Sequence, residues 1–150
     1  MNRDNSRRIS AIALPAALVC AFSASSQAGE WSANASMTSN YIWRGLTQTE
    51  NEAAVQGGID YAGDSGFYVG TWASNVNYGA GDVYSYEHDI YAGFAFDTGD
   101  ISWDVGYLYY NYDKEAEFDF SEVYIGVGIG NFSAQYNVLA PRRLPCLLIH

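Results

Sequence analysis

The sequence predicts an all-β chain: an antiparallel, up-and-down transmembrane β-barrel, about seven strands of it, and incomplete. Three observations predict this. Runs of alternating side chains recur along the chain, the links between them go long and short in turn, and an export signal precedes them all. The clearest run is Ile101-Ser102-Trp103-Asp104-Val105-Gly106-Tyr107-Leu108-Tyr109. Its odd positions are large and apolar or aromatic, and its even positions are mostly small or polar. A period of two sends the two sets to opposite faces of a strand.

The start of the chain reads as a secretory signal. Arg3, Arg7 and Arg8 make a basic start, residues 9–22 are apolar, and Ser26-Gln27-Ala28 offers small residues to a signal peptidase. The apolar stretch is too short for a membrane anchor, so residues 1–28 are predicted to be cut off before Gly29. Bulky Val19 ahead of Cys20 argues against a lipoprotein. Residues 29–139 then form the partial barrel domain.

The first run, residues 31–45, sets Trp31, Ala33, Ala35, Met37, Tyr41 and Trp43 against Ser32, Asn34, Ser36, Thr38, Asn40 and Arg44, with Ser39 and Ile42 as exceptions. The second, residues 54–62, sets Val55, Ile59 and Tyr61 against Gln56, Gly58 and Asp60. In the third, residues 66–76, Phe67 and Val69 oppose Tyr68 and Trp72, and its faces are not assignable. The fourth, residues 86–96, opposes Tyr86, Ile90, Ala92, Phe94 and Phe96 to Glu87, Asp89, Tyr91, Gly93 and Ala95, with His88 on the apolar side. The fifth is the run quoted above. The sixth alternates Val123, Ile125, Val127 and Ile129 with Glu122, Tyr124, Gly126 and Gly128, and the seventh Phe132, Ala134, Tyr136 and Val138 with Ser133, Gln135 and Asn137. β-branched and aromatic residues fill these runs, as a pleated sheet favours.

Gly63-Asp64-Ser65-Gly66, Asp97-Thr98-Gly99-Asp100 and Gly130-Asn131 read as tight turns. The longer links are residues 46–53, 77–85 and 111–120. Alternate links of an up-and-down sheet share an end, so the long ones fall together, as external loops do in outer-membrane barrels. After Val138 the pattern fails. Residues 140–150 hold two prolines, two arginines and no alternation, and read as foreign to the design. Seven is odd where single-chain bacterial barrels are even, which is why the barrel is predicted to be incomplete.

Composition favours lipid over water as the outer solvent. The chain has 17 acidic and 7 basic residues, a formal charge of −10. Loss of residues 1–28 makes the remainder still more acidic. That disfavours nucleic acid as a partner and suits cationic solutes. With Cys20 in the signal, Cys146 has no partner for an internal disulfide. The polar face holds Ser, Asn, Thr, Gln, Gly and Tyr and almost no Lys, unlike a solvated surface. Trp31, Trp43, Trp103, Tyr107 and Tyr109 lie partly near run ends, as interface girdles do.

Three segments carry a resemblance. They are Ser39-Asn40-Tyr41-Ile42-Trp43-Arg44-Gly45-Leu46-Thr47-Gln48-Thr49, Ala54-Val55-Gln56-Gly57-Gly58-Ile59-Asp60-Tyr61 and Ser65-Gly66-Phe67-Tyr68-Val69-Gly70-Thr71-Trp72-Ala73-Ser74-Asn75-Val76. Glu87-His88-Asp89-Ile90-Tyr91-Ala92-Gly93 and Ser121-Glu122-Val123-Tyr124 extend it. Over residues 30–138 the chain resembles the Gcw_chp family, proteobacterial outer-membrane proteins of unknown function described as porin-like, of the TorF type. The resemblance implies a complete barrel with further strands, and this chain departs from it at its end. It also implies outer-membrane lipid and the barrel-assembly machinery as partners, with small solutes as cargo.

No catalytic set or cofactor site is assembled from these residues, and the chain is not expected to be an enzyme. His88 is isolated, and His150 lies in the tail. Asp113, Glu115, Glu117 and Asp119 lack the spacing of a Ca²⁺ loop. The candidate pore-lining residues are Arg44, Asp60, Glu87, Asp89, Asp104 and Glu122. The Arg44 guanidinium has two readings: it orients solutes in a constriction, or it pairs with a neighbouring acid such as Asp60. The leading function is a passive, porin-like channel in the outer membrane of a Gram-negative bacterium. Two alternatives stand beside it: a structural or adhesive surface barrel without a pore, and a soluble periplasmic ligand-binding barrel.

Overall fold

Each alternating run becomes a strand, and the computed structural model, which describes residues 22–26, 29–114 and 118–140, places them in one antiparallel sheet. In chain order the elements are β1 (Phe22–Ser26), β2 (Gly29–Thr38), β3 (Ile42–Trp43), β4 (Leu46–Thr47), β5 (Ala54–Ala62), β6 (Phe67–Asn75), β7 (Tyr86–Thr98), β8 (Ile101–Tyr112), β9 (Phe120–Ile129) and β10 (Phe132–Leu139). The main sheet has eight strands in the order β1-β2-β5-β6-β7-β8-β9-β10, and β3 and β4 form a separate hairpin. The all-β, antiparallel, up-and-down expectation holds. β1 and β10 are the two edges of the sheet.

Two expectations need correction. The first run does not continue to Gly45. Its strand stops at Thr38, whose hydroxyl donates to the Asn40 carbonyl at 3.1 Å as the chain leaves the sheet. A further strand, β1, precedes the seven runs. It pairs with β2 from Ser26↔Gly29 to Phe22↔Ala33, within the segment read as signal. The rest of that segment lies outside the described residues, as do residues 141–150 of the tail and Glu115 and Glu117 of the acidic link.

The links alternate as expected. Residues 63–66, 99–100 and 130–131 turn at one end; residues 39–53 and 76–85 lie at the other, where β8 also ends at Tyr112 and β9 begins at Phe120. In the turn after β7, Gly99 takes φ 63°, and in the turn after β9, Gly130 takes φ 58°. Both are left-handed conformations that a Cβ would penalise.

Register sorts the side chains into two faces. Asp60, Gly70, Tyr91, Leu108 and Glu122 form one cross-strand row. Gly58, Trp72, Asp89, Tyr110 and Phe120 form the next, followed by Gln56, Ser74, Glu87 and Tyr112. This settles the third run: Tyr68, Gly70, Trp72 and Ser74 share the polar face. On the opposite face Trp31, Val55, Ile59, Phe67, Ile90, Phe94, Val123, Ile125 and Ile129 are exposed. Gln56, Ser74, Glu87, Asp89 and Glu122 are buried. The polar face, covered by the long links, is thus the buried inner face, and the apolar face is the exposed one.

Tyrosine rings fill that inner face by lying over glycines of the next strand. Tyr91 opposes Gly70, Tyr68 opposes Gly93, and Tyr124 opposes Gly106. A Cβ at Gly93 would collide with the Tyr68 hydroxyl and come within 2.7 Å of the Val105 carbonyl oxygen. A glycine in mid-strand here marks a close approach. We expect Gly93→Val to destabilise the sheet by about 1–3 kcal/mol through overpacking. Urea unfolding in detergent, followed by tryptophan fluorescence, measures this.

Candidate functional site

The inner face carries the site, and the first long link covers it. Residues 39–53 leave β2, form the β3–β4 hairpin and fold onto the polar face near the long-link end. The hairpin turns through Arg44 at φ 48° and Gly45 at φ 86°. Two successive positive φ values suit a two-residue hairpin loop. An arginine in that region is uncommon and calls for a compensating contact.

Glu122 supplies it. Both Arg44 amino groups donate to the Glu122 carboxylate, at 2.8 and 2.5 Å, in a bidentate pair. The guanidinium also stacks 4.3 Å from the centroid of its neighbour Trp43. Hydrogen bonding to Glu122 is the main cause holding the Arg44 pKa above its ordinary value. Bidentate arginine–carboxylate pairs combine strength with geometric specificity. The expected alternative, a pair with Asp60, is not formed. Asp60 lies at the far side of the same row and accepts a hydrogen bond from the Tyr91 hydroxyl. Arg44 was expected on a strand beside Asp60, but it sits in a turn that reaches across the sheet to β9.

Tyr41 and Trp43 go inside with the loop, instead of continuing the exposed apolar face as alternation suggested. Tyr41 is buried, packs edge-on to Trp72 with centroids 5.4 Å apart, and donates its hydroxyl to Glu87 at 2.8 Å. Trp43 meets Tyr110 edge-on at 5.9 Å and Phe120 at 6.4 Å. Tyr41, Ala54 and Val76 form the apolar core, with Trp43, Trp72 and Tyr84 against it. The core therefore sits on the polar face, under the loop.

Polar contacts lock the loop internally. Gln48 N–H donates to the Tyr41 carbonyl at 2.7 Å. Thr49 is fully buried, and its hydroxyl donates to the Glu52 carbonyl at 2.6 Å. Asn77 N–H donates to the Gln48 carbonyl at 2.8 Å, and the Tyr78 hydroxyl to the Gln48 side-chain oxygen at 3.0 Å, tying the first long link to the second. The Ser85 hydroxyl and N–H donate to Asp113, tying the second to the third. Asp119, in the acidic third link, accepts from Tyr109 at 2.7 Å, Asn111 at 2.9 Å and Tyr112 N–H at 2.9 Å. Asp113 and Asp119 are thus structural acceptors.

All six residues predicted to line an interior lie on or reach the inner face. Four of the carboxylates have tyrosine donors. Tyr91 serves Asp60; Tyr68, at 2.5 Å, serves Asp104 and bonds also to the Tyr124 hydroxyl. Glu87 accepts from Tyr41 and, at 2.5 Å, from Tyr112, while Tyr110 reaches Glu122 at 3.5 Å. Asp89 is the exception: its Oδ1 is buried without a hydrogen-bond partner. Sequence reasoning named the carboxylates and missed the tyrosines that hold them. The available signal was tyrosine at polar-face positions, as at Tyr91 and Tyr124. His88 faces the other way, with its Nε2 2.6 Å from the Thr71 hydroxyl.

Comparison with known proteins bears on this arrangement. A family model described as "Bacterial protein of unknown function (Gcw_chp)" matches residues 23–143. The chain belongs to the Gcw_chp family. The match covers the whole described sheet apart from Phe22 and includes the covering loop with Arg44. It reaches into both the segment read as signal and the tail read as foreign. No curated protein matches the chain, and no solved structure does.

The loop's anchors are separable by mutation. Tyr41→Phe removes one donor from buried Glu87 and is expected to cost about 1–3 kcal/mol. Arg44→Ala is expected to cost less, about 1–2 kcal/mol, because the arginine is partly exposed and solvent screens the pair. Urea denaturation of the single variants and of the double variant measures both costs. Independent anchors predict additivity within a few tenths of a kcal/mol.

Proposed function

We propose that the chain forms the wall of a porin-like outer-membrane β-barrel, with the loop of residues 39–53 as its internal constriction. One observation carries the reading: the apolar face of the sheet is exposed while its carboxylates are buried. Ile125 is 46% exposed and Ile129 53%, whereas Glu87 is 2% exposed. In water the apolar face would be covered. In a bilayer it faces lipid, and the polar face lines the interior. Export through the signal of residues 1–28, with cleavage before Gly29, would deliver the chain to that membrane and would remove β1, leaving β2 as that edge of the sheet.

Solute passage follows from the same inner face. Acidic residues outnumber basic ones there, and the basic residue Arg44 is committed to Glu122. Such a field favours cations over anions. A second reading rests on the loop itself. Its close packing on Tyr110, Trp72 and Glu87 suits a plugged, structural or adhesive barrel, since small barrels fill with side chains.

Two measurements test this reading. Fractionation should find the chain in the outer membrane with heat-modifiable gel mobility, and Ile125→Lys should reduce stability there by about 2–4 kcal/mol. A soluble chain that tolerates Ile125→Lys without loss contradicts the membrane reading. In liposomes, wild-type protein should pass small cations faster than anions, and Arg44→Ala should change the rate or selectivity. An assembled protein with no flux favours the plugged barrel.

A further inference from the structure

The buried acid that tyrosine does not serve points to a ligand. Glu87 and Asp89 are two apart on β7 and project to the same inner face, beneath the loop of residues 39–53. The two oxygens of Glu87 are occupied by the hydroxyls of Tyr41 and Tyr112. Asp89 is 7% exposed, and its Oδ1 has no partner. A buried carboxylate oxygen left without a partner costs free energy until a positive or donating group meets it. Among the described residues, the ion pair formed is that of Arg44 with Glu122, so it does not reach Asp89.

The surroundings select among cations. Directly across the two ladders Asp89 is opposed by Trp72 and by Tyr110. Tyr41 packs on the first ring and Trp43 on the second. A carboxylate set between aromatic rings suits a weakly hydrated cation, which gains from the charge and from the ring quadrupoles. A divalent metal ion is less suited. Among the described residues no group of three or more His, Cys, Asp or Glu gathers as ligands.

We propose that Asp89, with Glu87 behind it and Trp72 and Tyr110 beside it, forms a binding site for a weakly hydrated monovalent cation, either a primary ammonium or potassium. The site goes beyond the channel reading, because it holds a cation whether or not the barrel conducts. The loop covers it, so binding and loop order are coupled.

The test uses the full chain refolded in detergent micelles, with methylammonium, potassium and sodium chlorides as probes at matched ionic strength. Calorimetric titration should give saturable binding of methylammonium or potassium above sodium. Preference for methylammonium identifies an amine ligand; parity with potassium identifies an inorganic ion. Asp89→Asn, which removes a charge and keeps the shape, should weaken binding by about tenfold or more. Trp72→Leu should weaken it severalfold. A wild-type measurement stands apart from any folding defect in the variants: its unfolding midpoint should rise with methylammonium or potassium relative to sodium. Absence of saturable binding and of that rise overturns the site and assigns Asp89 a bound proton. Undiminished binding in a folded Asp89→Asn variant overturns it as well.

Discussion

The structure depends on one constraint: carboxylates turned to the inside of a sheet must find donors there. The chain meets it with tyrosine. Hydroxyls from Tyr91, Tyr68, Tyr41 and Tyr112 reach Asp60, Asp104 and Glu87, each from another strand or from the covering loop. Hydrogen bonds to a charged acceptor contribute about 1.5–3 kcal/mol each, and a missing one costs comparably. Glycine makes room for the rings, as Gly70, Gly93 and Gly106 show. The abundance of tyrosine and glycine in the composition is therefore one adaptation, in which a ring from one strand occupies the place of a side chain absent from the next.

The same constraint explains why the first long link folds inward. Its tip offers a cation, a hydroxyl and an indole to a face that needs donors and apolar cover. Arg44 reaches Glu122 on β9, Tyr41 reaches Glu87 on β7, and Trp43 lies on Tyr110 and Phe120. The loop thereby spans strands distant in sequence and gives the sheet an apolar core on its polar side. Any opening of the interior requires releasing the Arg44–Glu122 pair and the Tyr41 contacts.

Much of the fold was legible because period-two alternation is a local property. The run from Ile101 gave β8 its faces and the run from Val123 those of β9, and the turns at Gly99 and Gly130 were marked by residues suited to positive φ. The third run failed because Tyr68 and Trp72 are large residues on the inner face, where apolar content no longer separates the sides. The first run misled for a related reason. Tyr41 and Trp43 continue the alternation after Thr38, yet tertiary contacts with Trp72 and Tyr110 take them inward. The six candidate residues were legible by type and face. Arg44's partner was not, because a pair spanning 78 positions depends on how a loop folds across four strands.

In the proposed barrel the apolar face would meet lipid, and tryptophan reports this directly. Trp103 stands on the apolar face stacked with Phe96, and Trp72 on the inner face under Tyr41. Single-tryptophan variants retaining one or the other can be reconstituted in bilayers with brominated acyl chains. The proposed orientation predicts strong quenching of Trp103 and little of Trp72. Equal quenching of both, or stronger quenching of Trp72, would contradict it.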